Sequence, residues 1–442
     1  MNNFEFYAVV LTHPDLFIFL LIGSIIFHVI IFKRIIYSII DPFLLPVIAN
    51  IFCFVVVYLL YFTNNTSFYT FLSYNLTQVA FFLGLFSFKK IKNESNKEND
   101  FIDNNVKRNH ATIAFYFFSI IYLGSTAIIY ITKGIPLFMQ SRLETFAGGG
   151  GAGILGRITD VSSIFCLYTF FSIIKIDKFR FGEIPKYIIL SLIFCTYFLS
   201  GGKANFLTVI FTFFCYQLFL RVKNGNYHHY TNFLKKNALK IFCFTSIFVL
   251  GIIYVQLGNQ DSPEEEQLNP IFSLALRFLH SGDIFWYAYP NNIYRVVDGS
   301  HGFTALFNDT LGLLRIYNWQ DLPTVIGFIF KNIHHPSDIP QGPNARHNIF
   351  GLIYYGFWGS MLFSYLLGII ISFIRFKLPL FLKNTTLNGF IFTYLFIKIS
   401  ALDTDPMLTI TYLDNLIFIF PFLYVLYLIT VEFIKINPMK NG

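Results

Sequence analysis

Eleven apolar stretches divide this 442-residue chain, at 16–32, 43–62, 70–88, 111–132, 161–174, 187–200, 204–220, 241–257, 348–373, 388–402 and 409–431. Crossing a hydrocarbon core of roughly 30 Å takes about 20 apolar residues in helical form, because lipid offers no partner to an open backbone. The fold class expected is an all-α polytopic membrane protein with about eleven transmembrane helices and a large, partly helical extracytoplasmic loop. With 55% hydrophobic and only 13% charged residues, the composition excludes a soluble multidomain chain.

An odd number of spans puts the two termini on opposite faces, and the basic residues decide which is which. Turns at Lys33-Arg34, 89–108, 175–186, 221–240 and 375–383, with the tail from Lys435 to Lys440, carry 22 of the 32 Lys and Arg, and 17 of those are Lys. Lysine-rich turns stay in the cytoplasm, so the carboxyl end is expected inside and the amino end outside. The other ten are Arg142, Arg157, Arg277, Arg295, Arg315, Arg346, Lys133, Lys203, Lys331 and Lys398. Six of the eleven Arg thus cross against the bias. A guanidinium is a planar fork matched to phosphate and carboxylate oxygens, so an Arg-rich outer face suggests an anionic ligand there.

Three regions follow from this pattern: 1–257 with eight spans and short outer loops at 134–160 and 200–203, an extracytoplasmic cap at 258–347, and 348–442 with three spans. No cleavable leader is expected, since the first 15 residues carry Glu5 and Asp15 and lack a basic segment. The five Cys (53, 166, 195, 215 and 243) fall inside spans and read as small buried hydrophobes rather than disulfides or metal ligands. The 58 Phe read as compositional bias, not as an aromatic site. No internal repeat of helix pattern is visible, which argues against an inverted-repeat transporter.

The outer turns are the specific part. Loop 134–160 places Arg142 and Arg157 on either side of the run Gly148 to Gly151, whose backbone can present N–H groups to an anion or simply serve as a linker. Ser200-Gly201-Gly202-Lys203 joins two spans that look too short to cross, a device that usually lines a polar cavity; a snorkelling lysine is the plainer account. In the cap, the cluster Asp261, Glu264, Glu265 and Glu266 reads as a solvated loop. Residues 271–289, with Arg277, His280 and Asp283, suggest an amphipathic helix along the interface, and 303–319, with Asp309, Arg315 and Trp319, forms a second apolar patch. Asp403 and Asp405 could hold sugar hydroxyls or merely end a helix.

Arg346, His347 and Asn348 stand at the mouth of the ninth span. Histidine is the side chain suited to removing a proton near neutral pH, and a membrane boundary gives it both water-soluble and lipid-bound partners. Arg346 beside it can hold a phosphate, and an Arg-His pair can equally be a headgroup contact. The run His347-Asn348-Ile349-Phe350 followed by Tyr355-Gly356-Phe357-Trp358-Gly359 resembles the His-Asn and downstream Gly-x-x-Gly pattern of the O-antigen polymerase and ligase superfamily. Ser200-Gly201-Gly202-Lys203 resembles that family's Ser/Thr-Gly-Gly/Ser-Arg/Lys turn. Arg142 and Gly153 are similar to its Arg-x10-Gly pattern.

The resemblance implies a membrane glycosyltransferase that needs neither cofactor nor metal and works at the outer face of a bacterial inner membrane. Its donor would be a glycan on undecaprenyl diphosphate, and its acceptor a hydroxyl of a second lipid-linked repeat unit, with membrane lipids and a chain-length regulator as further partners and no nucleic acid. His347 would be the catalytic base, and Arg142, Arg157, Lys203, Arg277, Arg315, Arg346 and Asn348 would bind substrate. The alternatives are an O-antigen ligase and a flippase for the same lipid-linked oligosaccharide.

Overall fold

A computed structural model describes residues 1–90, 104–139, 153–174, 181–202, 205–224, 278–336 and 341–436, with a few positions between 247 and 276. Every regular element among these residues is helical. Among the described residues six helices are long and apolar enough to cross a membrane: α2 (Pro14–Phe32), α3 (Leu44–Phe62), α5 (Asn104–Lys133), α6 (Gly153–Ile173), α11 (His347–Phe376) and the continuous run from α13 (Pro406–Asp414) through a π-helical turn into α14 (Phe420–Ile436). Between them lie α4 (Phe68–Leu85), α7 (Ile184–Leu199), α8 (Leu207–Asn224), α9 (Asp283–Ala288), α10 (Ile326–His334) and α12 (Thr386–Ile399). The expected span at 241–257 lies mostly outside the described residues. A ten-residue helix, α1 (Asn3–Thr12), precedes the first span, its start fixed by a capping box between Asn2 and Glu5.

The chain divides into two compact units, each assembled from three separate segments. The first holds residues 1–91, 268–378 and 398–411. Its core packs α3 against α9, where Ile284, Phe285, Trp286, Tyr287 and Ala288 are all buried and Trp286 stacks on Phe6 at 4.2 Å. This corrects the expectation of an interfacial amphipathic helix over 271–289 for its described part. A run apolar on every side has no wet face to turn to water, so it goes inside.

Also in this unit, α4 packs along the second half of α11. In lipid the hydrophobic effect does not press helices together, so contact depends on close approach at small residues. Gly84 and Gly368 provide it. A methyl at Gly84 would lie 2.1 Å from the Tyr365 carbonyl oxygen, and one at Gly368 2.3 Å from that of Phe81. At the other end of α11, Arg375 forms a buried two-pronged ion pair with Asp41 (3.1 and 2.6 Å), whose carboxylate also accepts from the Tyr37 and Phe43 amides at 2.8 and 3.0 Å. With every oxygen engaged, this pair anchors the turn after α2 to the end of α11.

The second unit holds α5, α6, α7, α8, most of α12, the π-helical turn Asn415–Ile419 and α14. Its core is built from aromatic side chains, among them Phe118 on Phe165 with ring centroids 4.1 Å apart and Phe390 on Phe420 at 4.6 Å. Helix α7 has 16 residues, about 24 Å of rise, less than a full hydrocarbon core.

Candidate functional site

The ninth span is not the single helix that its apolar run suggests. At Gly356 the backbone takes φ 66° and ψ −171°, a conformation open only to glycine, and the chain reverses. Residues 347–355 fold back on 357–376. In a straight helix His347 and Ser364 would be about 25 Å apart; here Nδ1 of His347 lies 2.8 Å from the Ser364 hydroxyl. The arms meet closely at Gly351, where a methyl would touch Cβ of Ser360 at 2.8 Å, and Phe350 stacks on Phe363 at 5.5 Å. Gly359 completes the reversal, since a methyl there would meet Cβ of Tyr355 at 2.7 Å.

This hairpin moves His347 away from the mouth of the span, correcting the sequence reading. Ser364 lies eight residues beyond the reversal, about 12 Å along the second arm. Tyr69 at the start of α4 packs on Phe357 at 5.2 Å, which sets the start of α4 level with the reversal. Asn50 is twelve residues before the end of α3, about 18 Å in. His347 therefore starts a short helix near the middle of the spanning helices. Non-regular backbone at that depth persists only where protein encloses it.

Around it is a connected set of buried polar groups. Arg346 donates through Nε to the Ser281 carbonyl at 3.2 Å and through Nη1 to Oδ1 of Asn50 at 2.8 Å. Asn50 donates to Oδ2 of Asp403 at 2.8 Å, and the His347 amide donates to the Asp403 carbonyl at 3.1 Å. Burial pushes the Asp403 carboxyl up from its ordinary value, against the pull of Arg346. The side chains of Arg346, His347, Asn348, Asn50 and Asp403 are almost fully enclosed. Asn348 donates to the Thr77 hydroxyl at 2.8 Å, and the His347 ring lies 5.0 Å from that of Phe81.

The network assigns the imidazole tautomer. The Ser364 hydroxyl has one proton and donates it to the Ser360 carbonyl at 2.8 Å. It therefore accepts from Nδ1–H of His347, which leaves the lone pair on Nε2. Among the described residues Nε2 has no hydrogen-bond partner; nor have Oδ1 of Asn348, Oδ1 of Asp403 or either amide atom of Gln78, one turn before Phe81. Buried polar atoms left open in this way mark a place for water or a ligand.

Asp405 has a different job. It accepts from the Leu408 amide at 3.0 Å and so caps α13, with proline in the first helical position. Burial pushes its carboxyl up to about 6.

Of the expected site residues, the base His347 and the substrate-binding Arg346 and Asn348 come together in the first unit. Arg157 is buried in the second, where it donates to Oδ1 of Asn415 at 3.0 Å; Asn415 donates to Asp160 at 3.0 Å, and Tyr394 hydrogen-bonds the same carboxylate. The π-helical turn carries Asn415 into this set, a common use of such turns. Arg315 is exposed, with φ 57°, in the cap. Arg142, Lys203 and Arg277 lie outside the described residues. Sequence reading missed Asn50, Thr77, Gln78 and Ser364. Each is a polar residue within an apolar run, a signal weak for hydroxyls but fair for a lone amide such as Asn50.

Comparison with protein-family models, with curated proteins and with solved structures finds no match for this chain.

Proposed function

We propose that this chain is a membrane glycosyltransferase of the O-antigen polymerase type, with eleven spans and its site opening to the outer face of a bacterial inner membrane. It would extend a surface glycan by moving it from undecaprenyl diphosphate to a hydroxyl of a second lipid-linked repeat unit. One observation carries the reading: His347 is buried among spanning helices with its proton held on Nδ1 by Ser364 and its Nε2 unpartnered, next to an Arg346 fixed by Asn50 and Ser281. That is the arrangement a general base requires, with one nitrogen oriented and the other ready.

In this reading Nε2 takes the proton of the acceptor hydroxyl as its oxygen bonds to the anomeric carbon. The bond from that carbon to the diphosphate oxygen breaks, and the electron pair leaves with the diphosphate. Arg346 is placed to offset that charge, with Arg142, Lys203 and Arg277 as further candidate phosphate ligands. A ligase would use the same groups on a lipid A-core acceptor. A second reading, a flippase for the lipid-linked oligosaccharide, draws on the division into two compact units and on the broken helix at Gly356, a feature frequent in transporters.

The test is purified protein in detergent with a defined lipid-diphosphate repeat unit. A polymerase gives a ladder of longer glycans that His347→Ala abolishes while leaving the protein in the membrane. Absence of a ladder, together with movement of the same lipid between leaflets of a sealed vesicle, would replace the polymerase with the flippase. A ladder undiminished in His347→Ala would remove the base assignment.

A further inference from the structure

The cap between Val296 and Trp319 leaves apolar side chains uncovered. Val296 and Phe303 are 69% and 67% exposed, Ile316 is 61% exposed, and Leu314, Tyr317 and Trp319 are also exposed. A water-soluble surface seldom gathers so many in so short a segment. The spanning helices expose apolar side chains because lipid covers them; these residues lie outside the spans and need their own explanation.

Their height relative to the bilayer is set by close contacts. A methyl at Gly299 would lie 2.4 Å from the Ile353 carbonyl oxygen, and one at Gly302 would lie 2.9 Å from Cβ of Tyr354 and 3.0 Å from the Tyr355 ring. Residues 299–302 therefore rest directly on 353–355, the last turn before the reversal at Gly356. Just past the reversal stands Trp358, 76% exposed in the first turn of the 20-residue arm that spans. Tryptophan in that position marks the boundary of the hydrocarbon with the headgroups. Trp319 is held in a defined pose as well, its indole lying where a methyl on Gly312 would come within 2.7 Å.

We propose that residues 296–319 form a platform that lies in the membrane interface, its apolar side chains inserted at the headgroup–acyl boundary of the leaflet that Trp358 touches. The partner is the bilayer itself. Insertion drives the contact more than charge, because Arg315 is offset by Asp298 and Asp309 within the segment and Arg295 by Asp321 at its edges. The platform stands whether or not the chain transfers glycan.

The chain has three tryptophans, and Trp286 is fully buried. In proteoliposomes, Trp358→Phe leaves Trp319 as the exposed reporter, with the Trp319→Phe/Trp358→Phe double variant giving the Trp286 background. Trp319 emission should be blue-shifted, mostly lost in phosphatidylcholine brominated at mid-chain, and little affected by aqueous acrylamide. Quenching by acrylamide without quenching by bromolipid would overturn the platform. So would protection from both, which would mean that protein, such as a second copy, covers the segment. A second reporter, Phe303→Trp in the double-variant background, must give the same bromolipid response; its quenching by acrylamide alone would also count against the proposal.

Discussion

The chain Arg346–Asn50–Asp403 makes a quantitative prediction through a double-mutant cycle. Arg346→Met keeps the volume of the side chain but removes donors from the Ser281 carbonyl and from Asn50, and leaves the Asp403 carboxylate without the cation that offsets its burial. Arg346 and Asp403 are joined through Asn50 and not in direct contact, so the cost should lie below the about 3–5 kcal/mol of breaking a directly paired buried charge. Asp403→Asn keeps a hydrogen-bonding group beside Asn50 and removes the charge. The double variant should therefore cost less than the two single changes added together, with a coupling of about 1–3 kcal/mol. Reversible unfolding in mixed micelles, followed by helical circular dichroism, measures all four corners. The Arg346→Met penalty also has a pH signature. Without Arg346 the largest pull against the burial that raises the Asp403 carboxyl is gone, leaving the Asn50 hydrogen bond and nearby backbone amides, so on acidification Asp403 takes up a proton and the penalty shrinks toward the lost hydrogen bonds alone. It should be larger in neutral than in acidic solution. Additivity within about 0.5 kcal/mol, or a pH-independent penalty, would show that Arg346 and Asp403 do not sense each other through Asn50.

Gly84→Ala should prevent stable assembly, since its methyl meets backbone rather than a yielding side chain, whereas Gly23→Ala, with open space around it, should leave the thermal midpoint unchanged. Gly356→Ala should cost about 1–3 kcal/mol from its positive φ, read as a lowered unfolding midpoint. Asp405 titrates about two units above an ordinary carboxyl, so its contribution to stability is present below about pH 4 and is lost as pH rises through 6; wild-type stability should fall over that window and Asp405→Asn, which keeps the cap, should flatten the profile. Ser364→Ala should slow glycan extension roughly 10- to 100-fold by releasing the tautomer, with rate and not substrate affinity affected. Arg157→Lys should lower the unfolding midpoint, because a lysine cannot reproduce the guanidinium contact with Asn415.

Sequence alone pointed to an all-α membrane protein, because apolar runs of 14 to 26 residues leave the backbone no alternative to a helix in lipid. It also brought Arg346, His347 and Asn348 to attention, since charged and polar groups beside a span are costly and so informative. It could not show that the run 348–373 contains a reversal: hydropathy carries no sign of φ, and the apolar composition of 347–355 is the same whether it continues a span or folds back against one. Nor could it show Asn50, Ser364 and Asp403, on three separate stretches, closing on His347 and Arg346. Those contacts depend on which helix faces turn toward each other, and Gly84, Gly351 and Gly368 decide that through backbone approaches that only packing in three dimensions reveals.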